Sequence, residues 1–481
     1  MYPHIVSTTI LITHWLIIVG LATRIVLRRP PVGFSLAWLA VICSVPFIGA
    51  GLYLLLGEKR LGWRRAENMA LCFPEFCHWQ HELKVSCEQD VASMAAQIRP
   101  LARHAENAWG FPVLSGNQIV LLASAPLFFD QLLKDIANAN TNVLLGFYIW
   151  QPGGRTDEII NALIAAAERG VDCYALADAV GSKLFFKSDA VERLKTARVK
   201  LTIALPTGFL RTFVARADLR NHRKIAVIDD CIAYSGSQNL VDPKFFKQGS
   251  GVGEWVDAMV RITGPAATGL SGVFQLDWAN ESGHSFKAPA CTVQSPTPAD
   301  TMIQIVPSGP DLRPEAIHHL LLSAIYTARE ELILTTPYFV PDDSMLTALI
   351  TAAARGVQVT LIVPAHNDSV LVRFASAADY ESLMLAGVKI ACFNGGLLHT
   401  KSLAIDGIIS MFGSVNLDMR SFWLNFEISL LIYDQEFTRK LRALQDNYLA
   451  QSTLLDLSAW RKRPTWRRFI ENGCRLTGPM L

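Results

Sequence analysis

One short pattern occurs twice in this chain, and the repetition constrains the fold more than any other feature. His222-Arg-Lys224 is followed by Asp229, Gly236-Ser237 and Asn239, and His399-Thr-Lys401 by Asp406, Gly413-Ser414 and Asn416. All six positions recur 177 residues further on. The flanking sequence repeats as well. Residues 142–150 read as a strand, a helix then ends in Ala165-Ala-Ala-Glu-Arg-Gly170, and a strand follows over 171–176. In the second copy a strand over 331–340 leads to a helix ending Ala352-Ala-Ala-Arg-Gly356 and a strand over 357–363. Strands alternating with helices predict a largely parallel sheet flanked by helices. A period this long marks a duplicated domain, not a solenoid. The predicted fold is α/β: two tandem domains of mixed β-sheet flanked by helices, related by a pseudo-twofold axis.

The apolar residues are unevenly placed. Hydrophobic residues make up 51% of the 481 and charged ones 18%, with mean hydropathy +0.27, which is apolar for a soluble enzyme and too charged for a polytopic membrane protein. Residues 5–23 and 32–56 contain no Asp, Glu, Lys or Arg. Each is about long enough to cross a hydrocarbon core of roughly 30 Å. We expect an N-terminal transmembrane helical hairpin and a multi-pass membrane protein. Pro46, Gly49 and Gly51 should bend the second helix, so that it either spans or dips in re-entrantly. No small-residue cleavage site follows the first segment, so removal as a signal peptide is not expected. Arg24, Arg28 and Arg29 lie between the segments, and Lys59, Arg60, Arg64 and Arg65 follow the second, so the positive-inside rule pulls both ways.

The expected organisation is a membrane hairpin over 1–57, a helical connector over 58–115, catalytic domains over 116–290 and 291–450, and a basic-aromatic tail over 451–481. From Arg-Gly to the motif histidine copy one takes 52 residues and copy two 43. The surplus falls near 208–220, where Phe209, Leu210, Phe213 and Val214 interleave with Arg211, Arg216 and Arg220. Such a mixture suits either a surface on anionic lipid heads or an amphipathic helix covering the core. The tail makes the stronger case for lipid, with five basic and three aromatic residues in 460–469. Net charge +2 argues against a nucleic-acid binder. Nine scattered cysteines show no disulfide framework. Cys72, Cys77, His78 and His81 form the one cluster, too widely spaced and lacking a second half for a zinc site. No metal or cofactor is expected.

Histidine and lysine two apart on a strand share a face, so each pair can point into one pocket. Asp406-Gly407 signals a hairpin turn, and Asp229-Asp230 occupies the equivalent place. We therefore assign Asp229 and Asp406 to the turn and its electrostatics, not to proton transfer. One histidine can attack phosphorus while the other protonates the leaving alkoxide and later deprotonates an incoming alcohol. The lysines, with Ser237, Asn239, Ser414 and Asn416, would hold the non-bridging oxygens. Each histidine needs an orienting partner on its other nitrogen. Glu427 is the candidate for His399, and Glu254 or Asp257 for His222.

The doubled H-x-K-x4-D-x6-G-S-x-N pattern resembles the phospholipase D superfamily over about residues 115–450. Phe147-Tyr-Ile-Trp-Gln-Pro-Gly-Gly154, Thr336-Pro-Tyr-Phe-Val-Pro341, Gly395-Gly-Leu-Leu-His-Thr-Lys-Ser402 and Asn416-Leu-Asp-Met-Arg-Ser421, with the N-terminal hairpin, make nearly the whole chain similar to bacterial cardiolipin synthases of that type. The resemblance implies tandem phospholipase D-type domains and a catalytic set of His222, Lys224, Asp229, His399, Lys401 and Asp406. It implies phosphatidylglycerol and membrane phospholipids as partners. One phosphatidylglycerol would donate its phosphatidyl group to histidine, His222 by analogy with the superfamily, releasing glycerol. A second would take it up to give cardiolipin. Hydrolysis by water, or another alcohol acceptor, remains open on the motifs alone. A nuclease would need a backbone groove and no membrane anchor, and a non-enzymatic membrane-shaping protein would have lost a histidine or lysine.

Overall fold

The computed structural model describes the chain except for residues 1, 31, 59, 88–90, 209–214, 217, 291–299, 312, 314 and 479–481. It comprises two compact units, residues 1–66 with 207–219, and residues 67–206 with 220–481.

In the smaller unit one helix, Tyr2–Arg28, contains a candidate membrane span at Leu11–Arg28. The second apolar segment is broken. It forms helices Val32–Ser44 and Pro46–Leu52 and a π-turn at Tyr53–Gly57. Pro46 cannot donate to the preceding turn, so the helix stops before it. Of the expected hairpin, the first segment holds the one candidate span among the described residues, and the bend expected at Pro46 divides the second into shorter apolar helices. Ile25, Ile42 and Tyr53 pack together, and Glu58 takes Arg24 at 2.5 Å and Arg28 at 3.2 Å. Of the surplus stretch, Phe209, Leu210, Arg211, Phe213 and Val214 lie outside the described residues. Ala215 bridges to Leu61 within this unit.

The larger unit is organised by a continuous mixed sheet of fifteen strands. In chain order these are β1 (Leu114–Leu122), β2 (Asn142–Phe147), β3 (Asp172–Asp178), β4 (Lys200–Ala204), β5 (Ile225–Ile228), β6 (Ile232–Gly236), β7 (Met259–Thr263) and β8 (Thr301–Ser308). The second half supplies β9 (Glu331–Thr335), β10 (Gln358–Pro364), β11 (Lys389–Phe393), β12 (Ser402–Ile405), β13 (Ile409–Gly413), β14 (Glu427–Tyr433) and β15 (Ser452–Leu454). Their order is β15-β11-β10-β9-β12-β13-β14-β8-β1-β7-β6-β5-β2-β3-β4. Reading outward from the antiparallel β1–β8 seam, each strand except the edge strand β15 meets its counterpart seven numbers away. The duplication therefore fuses into one sheet with a pseudo-twofold at the seam.

The repeated Ala-Ala-Ala…Arg-Gly endings have a local cause. Gly170 and Gly356 take φ of 90° and 92°, left-handed values that glycine adopts without strain. Val171 and Val357 then bond back to the carbonyls of Ala166 and Ala352, each at 3.1 Å, closing the helix ends. Each chain then enters a buried parallel strand, β3 or β10.

The two motif aspartates stand at the β5–β6 and β12–β13 turns, with φ of 53° at Asp229 and 50° at Asp406. Asp229 accepts from the backbone N–H groups of Asn140, Thr141 and Asn142, at 2.7–3.1 Å. Asp406 accepts from those of Arg329, Glu330 and Glu331 at 2.8–3.0 Å. Each carboxylate pins the start of the neighbouring strand, β2 or β9, away from the histidines. Burial alone would raise the Asp229 pKa, but the donors of Thr141 and Asn140 bring it below the usual carboxylate value. Asp229→Ala should lower stability by about 1–3 kcal/mol by orphaning those donors. A depressed carboxyl stabilises fully above its unfolded pKa of about 3.9 and loses that contribution as pH falls through its lower folded value. The gap in melting temperature between wild type and variant should therefore be full at pH 6 and shrink below about pH 4, as followed by thermal unfolding.

Candidate active site

Both motif histidines lie just before their strands, since β5 begins at Ile225 and β12 at Ser402. Placing them inside the ladders is therefore corrected by a few residues. What holds each lead-in is backbone from the other half. His222 N–H donates to the Phe426 carbonyl at 2.8 Å, and Phe426 N–H to that of Arg220 at 2.9 Å. His399 N–H donates to the Val256 carbonyl at 2.8 Å, and Leu397 N–H to that of Glu254 at 2.9 Å. The next residue along each partner segment is an acid, Glu427 or Asp257.

This interlock crosses the expected partners. His222 Nδ1 pairs with Glu427 Oε2 at 2.9 Å, and His399 Nδ1 with Asp257 Oδ1 at 2.7 Å. Assigning Glu427 to His399 and Asp257 to His222 is overturned, because the pairing segments belong to opposite halves. Glu254 is exposed and contributes only its carbonyl. With each Nδ1–H given to a carboxylate, Nε2 of the neutral ring carries the lone pair.

The Gly-Ser-x-Asn tails support the acids. Ser414 Oγ donates to Glu427 Oε2 at 2.5 Å and accepts from Ile428 N–H at 2.9 Å. Ser237 Oγ accepts from Ala258 N–H at 3.1 Å and hydrogen-bonds Asp257. Glycine precedes each serine because the next strand abuts it. A Cβ on Gly413 would lie 2.3 Å from the Ile428 carbonyl oxygen, and one on Gly236 2.5 Å from that of Ala258. The asparagines line the same region. Asn239 Oδ1 accepts from Ile149 N–H at 3.1 Å, while its Nδ2 and the Asn416 side-chain oxygen are buried without a protein partner.

Lys224 and Lys401 are buried, and each Nζ donates to the carbonyl of its own motif histidine at 2.6 Å. Burial lowers Lys224 to about 8 and takes Lys401 well below its ordinary value. Desolvation brings both histidines to about 4, against the pull of Glu427 on His222 and of Asp257 on His399. Lys401 also acts on His222 and Lys224 on His399, so the two motifs share one electrostatic enclosure. Burial opposes ionisation of Asp257 and Glu427, yet His399 and His222 hold them below the usual range. Two lysines, two acids and two imidazoles thus share one buried space.

Sequence reasoning missed the walls and the foundation. The Tyr148 ring stands 4.9 Å from His222 and the Trp255 ring 4.3 Å from His399. Beneath His222, Arg223 pairs with Asp277 at 2.6 Å and donates to the carbonyls of Glu427 and Ser308, each at 3.0 Å. Arg220 is not a lipid-facing residue. It is buried and pairs with Asp178 at 3.2 Å.

Comparison with known proteins agrees with this geometry. The family model described as "Cardiolipin synthase, PLD-like domain" matches residues 132–268 and 321–448, and a phospholipase D–nuclease N-terminal model matches 16–58. Cardiolipin synthase A of Yersinia pseudotuberculosis and that of Yersinia pestis are each 46% identical over 472 residues, covering 97% of this chain and of theirs. The crystal structure of phosphatidylserine synthase from Haemophilus influenzae shares the fold, with TM-score 0.57 and 17% identity over 79% of this chain and all of that one. The chain belongs to the phospholipase D-like cardiolipin synthase family.

Gly413→Ala tests the close approach on which the site rests. The clash is with sheet backbone, which yields little, so stability should fall by about 1–3 kcal/mol, read as a lower melting temperature in calorimetry. An unchanged melting temperature would remove the stated need for glycine.

Proposed function

We propose that the protein is a cardiolipin synthase of the bacterial inner membrane. On this reading it transfers a phosphatidyl group between two phosphatidylglycerol molecules through a phospho-histidine. The observation that carries it is the crossed pair of histidine–carboxylate contacts around two buried lysines. The domains we assign are 116–290 and 291–450, with the apolar helices of 1–57 holding the chain at the bilayer in a multi-pass arrangement.

His222 Nε2 attacks phosphorus of the first lipid, forming N–P as the bond to the headgroup glycerol oxygen breaks. His399 gives that oxygen its proton, which the bound anion helps to hold on the ring. The primary hydroxyl of the second phosphatidylglycerol then loses its proton to His399 and attacks phosphorus. The N–P bond breaks, yielding cardiolipin and restoring the imidazole. Lys224, Lys401, Asn239 and Asn416 carry the charge on the non-bridging oxygens. Glu427 and Asp257 fix the tautomers and steady each ring when it becomes cationic.

Purified protein incubated with phosphatidylglycerol should release glycerol and cardiolipin in equal amounts, and His222→Ala and His399→Ala should each lose at least about a thousandfold in turnover. Phosphatidic acid as sole lipid product would replace the transferase by a hydrolase.

Roles can be separated by the partner acids. Asp257→Asn should slow protonation by His399, and alkaline-quenched enzyme should carry its phosphatidyl adduct on the His222 peptide. An adduct on His399 would reverse the assignment. With His222 near 4, wild-type turnover should hold as pH falls past 6 and drop through about 4. Glu427→Gln removes the charge that raises the His222 pKa, so the remaining activity should have its acidic limb at still lower pH.

A further inference from the structure

The C-terminal helix Thr465–Arg475 is built inside out. Its inward face is charged. Glu471 is 0% exposed and is held by Arg463 and Arg467, each at 3.1 Å. Arg475 reaches Asp379 at 2.9 Å and Asp343 at 2.7 Å, and Arg468 lies 3.6 Å from Glu381. Asp379 and Glu381 belong to the helix Val370–Leu385, so ion pairs bolt the two helices together. The outward face is apolar: Trp466 is 63% exposed, Phe469 80% and Leu476 83%. At 3.6 residues per turn these three, with Ile470 and Gly473, follow one stripe. An ordinary surface helix turns its apolar stripe inward. Rotating this one to do so would strip Glu471 and Asp379 of their cations, and that cost holds the stripe toward the outside.

The stripe leads toward the site. Cys474 packs with Val340, Val372, Ala375 and Tyr338, and Gly478 lies against Val340 and Met419. On the same first turn of the helix Val370–Leu385, Val370 and Leu371 are again exposed. Tyr338 lies within electrostatic reach of Tyr148, whose ring stands 4.9 Å from His222.

We propose that Thr465–Arg475 is a membrane-docking helix that lays its Trp466–Phe469–Leu476 face into the headgroup boundary of an anionic bilayer. Trp, Phe and Leu exposed on one face, with exposed Arg461 and Lys462 just ahead of the helix and Arg468 exposed although it also reaches Glu381, are the composition of an interfacial helix on acidic lipid. The inference rests on the chain working at a bilayer, not on which headgroup it transfers.

The full chain, reconstituted in vesicles of phosphatidylcholine and phosphatidylglycerol with or without brominated acyl chains, gives the first test. The emission that wild type has and Trp466→Phe lacks should be quenched at least twofold by the brominated lipid. Equal emission in both vesicles overturns the proposal. So does a Trp466 signal that follows protein density instead of bromine, which would place a second copy on the face. The second test is Phe469→Asp. Turnover of vesicle-borne phosphatidylglycerol should fall about tenfold, with turnover of a dispersed short-chain phosphatidylglycerol kept within twofold. Equal loss on both substrates, or no loss on either, overturns docking. If wild type turns over neither lipid, the transferase reading fails while the quenching result still decides the docking.

Discussion

Everything catalytic in this molecule hangs on one interlock, the exchange of backbone hydrogen bonds between the lead-in to each motif histidine and the segment carrying the other half's acid. His222 bonds the residue before Glu427, and His399 the residue before Asp257. These bonds place two carboxylates against two imidazoles with the halves exchanged. Neither half alone contains a complete histidine–acid pair. The β1–β8 seam supplies the rigid reference that keeps the two pairs in register. A hydrolase or transferase using two histidines needs that register, because the attacking and protonating nitrogens must stand on opposite sides of one phosphorus.

How far this was legible in the sequence follows from the range of each interaction. Helix ends were legible because Arg-Gly closes locally, through bonds spanning five residues. The turn aspartates were legible because aspartate adopts positive φ in a tight turn, although the N–H groups they hold lie 75 to 89 residues away. The crossing was not. His222 and Glu427 are separated by 205 residues, and two equivalent motifs permit either assignment of the acids. Local proximity in sequence favours the uncrossed choice, and only the backbone bonds between halves reverse it. The break in the second apolar segment was half legible. Pro46 announced a bend, but the π-turn at Tyr53–Gly57 has no signal of that kind. Arg220 misled because interleaved arginine and apolar residues read alike on a surface and in a buried ion pair, and Asp178, its partner, lies 42 residues away.

The duplication is also unequal where it matters. Beneath His222 the middle residue of the motif is Arg223, gripped by Asp277 and by two carbonyls. Beneath His399 it is Thr400, which bonds the Val256 carbonyl at 3.3 Å and Tyr448 at 3.1 Å. A buried guanidinium with a full set of acceptors resists displacement more than a hydroxyl does. The first histidine is thus set on the stiffer foundation. On the proposed mechanism that suits a group which holds a covalent bond to phosphorus between two steps, and leaves the second free to move as it passes a proton.

The charge state of the empty site completes this division. Two ammonium groups and two imidazoles lie in a space that burial has made hostile to charge, so all four are depressed together. A phosphodiester entering among them reverses the balance, since one anion stabilises every neighbouring cation at once. Substrate binding and proton uptake are therefore coupled through the same low-dielectric enclosure. Water entering without the anion finds neutral His399, a site not yet set for proton donation. On the proposed mechanism the proton that His399 gives to the leaving oxygen is taken up from solvent as the lipid phosphate binds, so the enclosure becomes competent at the moment it is occupied.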